Sequence, residues 1–186
     1  MGKILVFNNV TLDGYFEGAN GDISWAHRMD PEFRAFVEEN AKGEATLLFG
    51  RKTYELMSSY WPTPMAAQND PVVAERMNRS TKLVASRTLV SPTWSNTTVI
   101  RGDLVAELRK LKAAANEDIT ILGSGSVVAQ LAQENLIDEY QLVVNPVVLG
   151  KGRGLFDGVQ KGLVLKLEKT HAFRNGNVLL SYTPSE

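Results

Sequence analysis

The chain has no cysteine and only two histidines, His27 and His171. Disulfides, thiolate nucleophiles and cysteine-held zinc are thereby excluded. Two histidines so far apart give no basis for a metal site. Charge of one sign is also missing: 20 lysines and arginines face 21 aspartates and glutamates, a net charge of -1. Without a basic footprint, nucleic acid is not an expected partner. No apolar run reaches the roughly 20 residues that cross a bilayer. The start, one lysine before a short β-like run, lacks the layout of a signal peptide. A cytoplasmic protein with no membrane contact is the expectation. What is present is ordinary for a globular chain: 44% apolar residues over 186 positions, enough for a substantial core. No repeat, low-complexity tract or linker interrupts it, so one domain, 1–186, is expected.

"KILVFNN" reads as a buried first strand, followed by a long loop, "TLDGYFEGANGDISW". "DPEFRAFVEEN" reads as a helix, capped by Asp30, with Pro31 at its first position and Phe33, Phe36 and Val37 on one face. "EATLLFG" is a strand and "RKTYELMSSY" a helix. "WPTPMAAQNDP", with three prolines, reads as a loop, and "VVAERMN" as a short helix. "TKLVAS" and "NTTVIRG" are strands, "LVAELRKLKAAA" an amphipathic helix, and "DITIL" with "SVVAQLAQEN" a strand and helix. "DEYQLVVNPVVLG" reads as strand throughout. "LVLKLEKTHAF" and "NVLLSYT" form a hairpin about Asn175-Gly176. This alternation predicts an α/β fold: a mostly parallel sheet with helices on both faces and an antiparallel C-terminal edge.

Ligands of open α/β sheets gather at the carboxyl ends of parallel strands. Three strand exits here carry fitting residues. In "LLFGRKTYE", Gly50 turns the chain and Arg51, Lys52 and Thr53 open a helix, whose N–H groups and dipole favour anions. Two cations at that end oppose the dipole, which an arriving anion would explain; a solvated basic helix start is the plain alternative. In "KLVASRT", Ser86 and Arg87 offer a hydroxyl and a planar guanidinium to an isolated phosphate; an exposed turn arginine is the alternative. In "DITILGSGSVVAQLAQ", Gly123 and Gly125 permit close approach of a ligand, or simply turn the chain. Val128 occupies the third glycine position of a dinucleotide fingerprint, and no Gly-Lys-Ser/Thr makes the turn a P-loop. A pyrophosphate and a separate 2′-phosphate together are the pattern of NADP.

In this order, "LLFGRKTYE", "KLVASRT" and "ITILGSGSVVAQL" resemble the three cofactor segments of the dihydrofolate-reductase-like fold, and the resemblance covers nearly the whole chain. It implies a three-layer α-β-α architecture. It implies that Gly50, Arg51, Lys52, Thr53, Ser86 and Arg87 hold the phosphates of NADPH. Gly123, Ser124, Gly125, Ser126 and Val127 would lie against the cofactor near its nicotinamide and pyrophosphate. The backbone at Asn9 and Val10 would meet the nicotinamide carboxamide. Arg51 and Arg87 imply NADPH rather than NADH. Gly123-Ser124 replaces the family's Gly-Gly, a bond often cis there. "VTLDGYF" and "NPVVLGKGRGLF" resemble the riboflavin-pathway reductase, the RibD C-terminal domain of the bifunctional deaminase-reductase, here as a stand-alone member. The folate-clamping Arg-Pro-Leu-Pro-Gly-Arg stretch is absent from "SSYWPTPMAAQNDP". The Asp and Arg that grip the phosphoribosyl substrate of the riboflavin enzyme have no clear counterpart. The implied activity is an NADPH-dependent reductase of a small heterocycle whose substrate has diverged. Dihydrofolate reductase and a non-catalytic NADP-binding or sensor domain are the alternatives. That branch tends to dimerise, which implies a homodimer.

"GDISWAHRMDPEF" resembles the mobile loop of dihydrofolate reductase, where a Trp precedes the acid of the pocket by five positions. Trp25 and Asp30 keep that spacing. The resemblance implies that Asp30 polarises the substrate or relays a proton, with Asp13 as a second acid and Trp25 and Phe33 against the substrate. Read from the residues alone, Asp30 is also a helix cap, Asp13 a turn aspartate bonding its own backbone, and Trp25 a packing residue.

Overall fold

The computed structural model describes residues 2–114 and 116–185. Met1 and Glu186, the ends of the expected domain, and Ala115, at the end of the expected helix, lie outside the described residues. Eight strands form one sheet: β1 (Ile4–Thr11), β3 (Ala45–Gly50), β4 (Lys82–Ala85), β5 (Thr97–Ile100), β6 (Asp118–Leu122), β7 (Glu139–Asn145), β9 (Leu165–Ala172) and β10 (Val178–Pro184). Their order is β5-β4-β3-β6-β1-β7-β10-β9. The first six are parallel, and the C-terminal hairpin adds the antiparallel edge. Two short strands, β2 (Tyr15–Glu17) and β8 (Arg153–Gly154), pair separately as a ribbon.

The helices are α1 (Pro31–Lys42), α2 (Arg51–Tyr60), α3 (Pro64–Asn69), α4 (Pro71–Arg79), α5 (Leu104–Ala114) and α6 (Gly125–Gln133). Alternation along β1 divides them. Ile4, Val6 and Val10 pack with Leu104 and Leu108 of α5 and Val128 and Leu131 of α6. Phe7, on the opposite face, packs with Phe33, Phe36 and Val37 of α1. Beside α1, Tyr54 of α2 and Met77 of α4 enclose Phe49, Val84 and Trp94.

The structure corrects three sequence expectations about elements. "WPTPMAAQNDP" is not a plain loop but contains α3. Two of its prolines begin helices, Pro64 in α3 and Pro71 in α4, and the Thr63 hydroxyl accepts from the Ala66 N–H at 3.3 Å. A proline at the first position costs a helix nothing, since that N–H has no intrahelical partner anyway. "DEYQLVVNPVVLG" is strand only to Asn145. Pro146 has no N–H for the ladder, and the chain folds back, Val147 N–H on the Asn145 carbonyl. The long loop after β1 contains β2. The apolar run of β7 is explained by its place between β1 and β10. The C-terminal edge of the sheet is β9, which exposes Lys166, Glu168 and Lys169. No helix among the described residues is long and apolar enough to cross a membrane.

Candidate active site at the carboxyl edge of the sheet

β4, β3, β6 and β1 are neighbours and parallel. Their carboxyl ends therefore bring Ser86, Gly50, Gly123 and Asn9 to one edge. Hydrogen bonds join three of these exits. The Asn8 amide pairs with the Gly123 peptide in both directions: Gly123 N–H donates to Oδ1 at 2.7 Å, and Nδ2 donates to the Gly123 carbonyl at 3.3 Å. Ser124 Oγ accepts from Gly50 N–H at 2.7 Å and lies 2.9 Å from Thr53 Oγ1. Gly123 has φ +61°, and a Cβ there would lie 2.7 Å from Thr53 Oγ1. Ser124 also has positive φ, +64°, which is unusual for a residue with a Cβ. Every described peptide bond is trans, Gly123-Ser124 included, so the cis bond implied by the resemblance is not found.

The phosphate candidates face outward. Gly50 caps α2 without a side chain, which leaves the first-turn N–H groups available to a ligand. Arg51 and Lys52 are exposed, and Arg51 Nη1 lies 3.3 Å from Glu55 Oε1. Ser86 Oγ accepts from the Leu89 and Thr88 N–H groups at 3.0 and 3.2 Å, shaping the turn that presents the exposed Arg87. Between this turn and α6 lies a cleft of about 400 Å³, lined by Ala85, Ser86, Arg87, Gly102, Leu104 and Gln130 among others.

Other expected site residues are placed differently. Gly125 is a packing glycine: a Cβ would lie 3.1 Å from the Leu155 carbonyl and 3.2 Å from the Phe16 ring, where the β2/β8 ribbon meets α6. The side chains of Val10 and Val127 belong to the core, so only their backbone could meet a ligand. Ser126 is exposed, and its carbonyl accepts from Gln130 Nε2. Phe33 is 2% exposed and packs edge-on against Phe173, centroids 5.0 Å apart. It belongs to the core cluster that α1 forms with the hairpin. Trp25 is half-buried, with Nε1 donating to the Asp22 carbonyl at 3.1 Å.

The two acids differ. Asp30 caps α1, its Oδ1 accepting from Phe33 N–H at 2.7 Å. Asp13 accepts from the Thr11 hydroxyl at 2.6 Å, Gly150 N–H at 2.7 Å and Leu149 N–H at 3.2 Å. These donors, the Thr11 hydroxyl foremost, hold its carboxyl below the usual aspartate range despite some desolvation. Through these bonds Asp13 ties the loop after β7 to the turn after β1. Asn8 and the inward hydroxyl of Ser124 carry structural roles that the sequence had not assigned. The signal for Asn8 was available: it is a polar residue on the inward face shared by Val6 and Val10.

Fold and edge define a class, the dihydrofolate-reductase-like α/β proteins. More narrowly, the chain belongs to the RibD C-terminal domain family, whose model matches residues 2–179. It is 32% identical to the uncharacterised Bacillus subtilis protein YyaP over 182 residues, covering 97% of this chain and 94% of that protein. A candidate riboflavin biosynthesis protein from Shewanella sp. PV-4 superposes with a TM-score of 0.75 at 22% identity, 99% of each chain being covered. Dihydrofolate reductase from Enterococcus faecalis, solved with NADP(H), superposes at 0.67 with 16% identity, covering 100% of this chain and 98% of that one.

Proposed function

We propose that this chain is an NADPH-dependent reductase of a small heterocyclic substrate, akin to the riboflavin-pathway reductase. The observation that carries the reading is convergence. Three turns suited to anions lie side by side on one sheet edge, and a cleft of about 400 Å³ adjoins the Ser86–Arg87 turn. The donor set fits the cofactor: exposed cations at 51, 52 and 87, a hydroxyl at 86, and an uncapped helix start at Gly50. The NADP(H) complex of the Enterococcus faecalis enzyme, with the same fold, adds support. Arg87 and Ser86 would hold the 2′-phosphate, and the first turn of α2 the pyrophosphate. Asn8 and Ser124 would keep the glycine turn rigid beneath the reacting end. NADPH would supply the hydride. Asp30 would fix the substrate or hold its proton, since the bond to Phe33 engages only Oδ1. Asp13 is left out of the proton path.

The reading is tested by fluorescence titration with NADPH and NADH. A charge-assisted hydrogen bond is worth roughly 1.5–3 kcal/mol. Arg87→Ala should therefore weaken NADPH binding by about tenfold to a hundredfold and leave NADH binding nearly unchanged. Equal affinity of the native protein for both nucleotides would remove the phosphate assignments. If NADPH binds but Asp30→Asn alters turnover of no pyrimidine, pteridine or carbonyl substrate, a non-catalytic binding domain is the better account.

A further inference from the structure

The opposite, amino end of the sheet carries a second cavity, of about 230 Å³. There α6 ends with Gln133, β7 begins with Glu139, β9 begins with Leu165 and β10 ends with Pro184. Ala132, Asn135, Ile137, Tyr140, Leu163 and Leu165 are among its lining. The nine residues of α6, about 13 Å of helix, separate it from the glycine turn at the carboxyl edge. Hydrogen bonds fix its outer wall. The Gln133 amide pairs with Lys161 in both directions: Lys161 N–H donates to Oε1 at 2.9 Å, and Nε2 donates to the Lys161 carbonyl at 3.2 Å. Ser185 N–H donates to the Val164 carbonyl at 2.9 Å. Segment 161–165 is thus fastened at both ends, to α6 and to the end of β10, and the cavity exists before any ligand arrives.

Tyr140 supplies the one buried polar side chain in this lining. It is 2% exposed. Its hydroxyl has no hydrogen-bond partner among the described residues, yet it is not one of the polar atoms sealed from solvent. It therefore opens into the cavity that Tyr140 lines. Burial pushes its pKa up to about 12, so at neutral pH it is a protonated donor. Phenylalanine would set the same ring beside Phe156, 6.1 Å away, with no polar cost. A buried tyrosine hydroxyl ordinarily finds a partner, and here only an occupant of the cavity can be one. None of the described residues that line the cavity is charged, so a charged occupant would lose its hydration without compensation. Size narrows the class further. An apolar cavity of about 150 Å³ holds benzene, whereas drug-sized ligands take about 300 Å³ or more. We infer that this cavity is a second ligand site, for a small neutral molecule with an apolar body of about one ring and a single hydrogen-bond acceptor, which the Tyr140 hydroxyl reads. The site stands apart from the carboxyl edge and needs no nucleotide.

The test uses the whole protein without NADPH and protein-observed NMR. Acetophenone is the probe. Ethylbenzene, which has the same ring and no acceptor, is the control. Both should bind saturably and shift the signals of Ala132, Ile137, Leu163 and Leu165. Tyr140→Phe keeps the ring and removes the hydroxyl. It should lower the ratio of acetophenone to ethylbenzene affinity by about threefold to tenfold, the worth of one neutral hydrogen bond. Ala132→Leu fills the cavity from α6 and should abolish binding of both. If that variant does not fold, Val164→Asp carries the same test, because it sets a charge on the exposed rim and should weaken both probes alike. No saturable shift, or shifts confined to the carboxyl edge around Gly50 and Ser86, overturns the inference. So does an unchanged affinity ratio in Tyr140→Phe, or undiminished binding in the cavity variant.

Discussion

Ser124 shows how a single residue can hold a strained backbone. A left-handed conformation costs a non-glycine residue about 1–2 kcal/mol. It persists here because Ser124 Oγ meets both Gly50 N–H and Thr53 Oγ1, each bond worth about 1 kcal/mol net. Two variants separate the contributions. Ser124→Ala keeps the strain and loses the bonds, so it should destabilise by about 1–2 kcal/mol in urea unfolding. Ser124→Gly loses the same bonds but relieves the strain, and should be the milder change. The opposite order would mean that the hydroxyl is not what holds the turn. Asn8 acts beside it: its amide copies a peptide partner for Gly123, so the turn keeps its shape from two sides.

Among the elements, the β2/β8 ribbon and the loop after β7 depend on Asp13. Its depressed carboxyl makes a pH prediction. The folded value lies below the unfolded one near 3.8. Its stabilisation is therefore present above that pH and lost as pH falls through the folded value. Melting curves of the native protein and Asp13→Asn should differ at pH 6 and converge on acidification below about 4. A constant difference would mean that the charge is not what ties the loop. This element also marks the limit of what the chain reveals when read in order. The β–α alternation and the exits at Gly50, Ser86 and Gly123 were legible, because period, turn residues and helix starts are local signals. The packing role of Gly125 was not, since what it accommodates is the Leu155 carbonyl, thirty residues away. The partners of Asp13, at Leu149 and Gly150, are hidden for the same reason. The neighbour that covers Phe33 is hidden likewise, since Phe173 comes from the far end of the chain. Pro64 misled, as a helix start inside a proline-rich stretch.

The molecule as a whole carries two buried groups whose titrations oppose each other in alkali. Lys82 is fully buried at the start of β4. Its Nζ donates to the Ser80 and Asn78 carbonyls at 2.7 and 3.1 Å and lies 4.5 Å from the centre of the Trp94 ring. Burial pushes its pKa down to about 8 from 10.5. Between those values the folded protein releases the proton while the unfolded chain keeps it, so stability rises with pH. Tyr140, 2% exposed, is pushed up by burial from 10.0 to about 12. There the unfolded chain loses its proton first, so stability falls with pH. Stability attributable to this pair should climb from pH 8, level off near 10 and decline towards 12. Lys82→Met should remove the climb and Tyr140→Phe the decline, each read as the difference from the native protein in denaturant midpoints across the series. If Lys82→Met left the slope between pH 8 and 10 unaltered, the ammonium would be titrating as it does in water. The two carbonyls and the Trp94 face would then be compensating its burial in full.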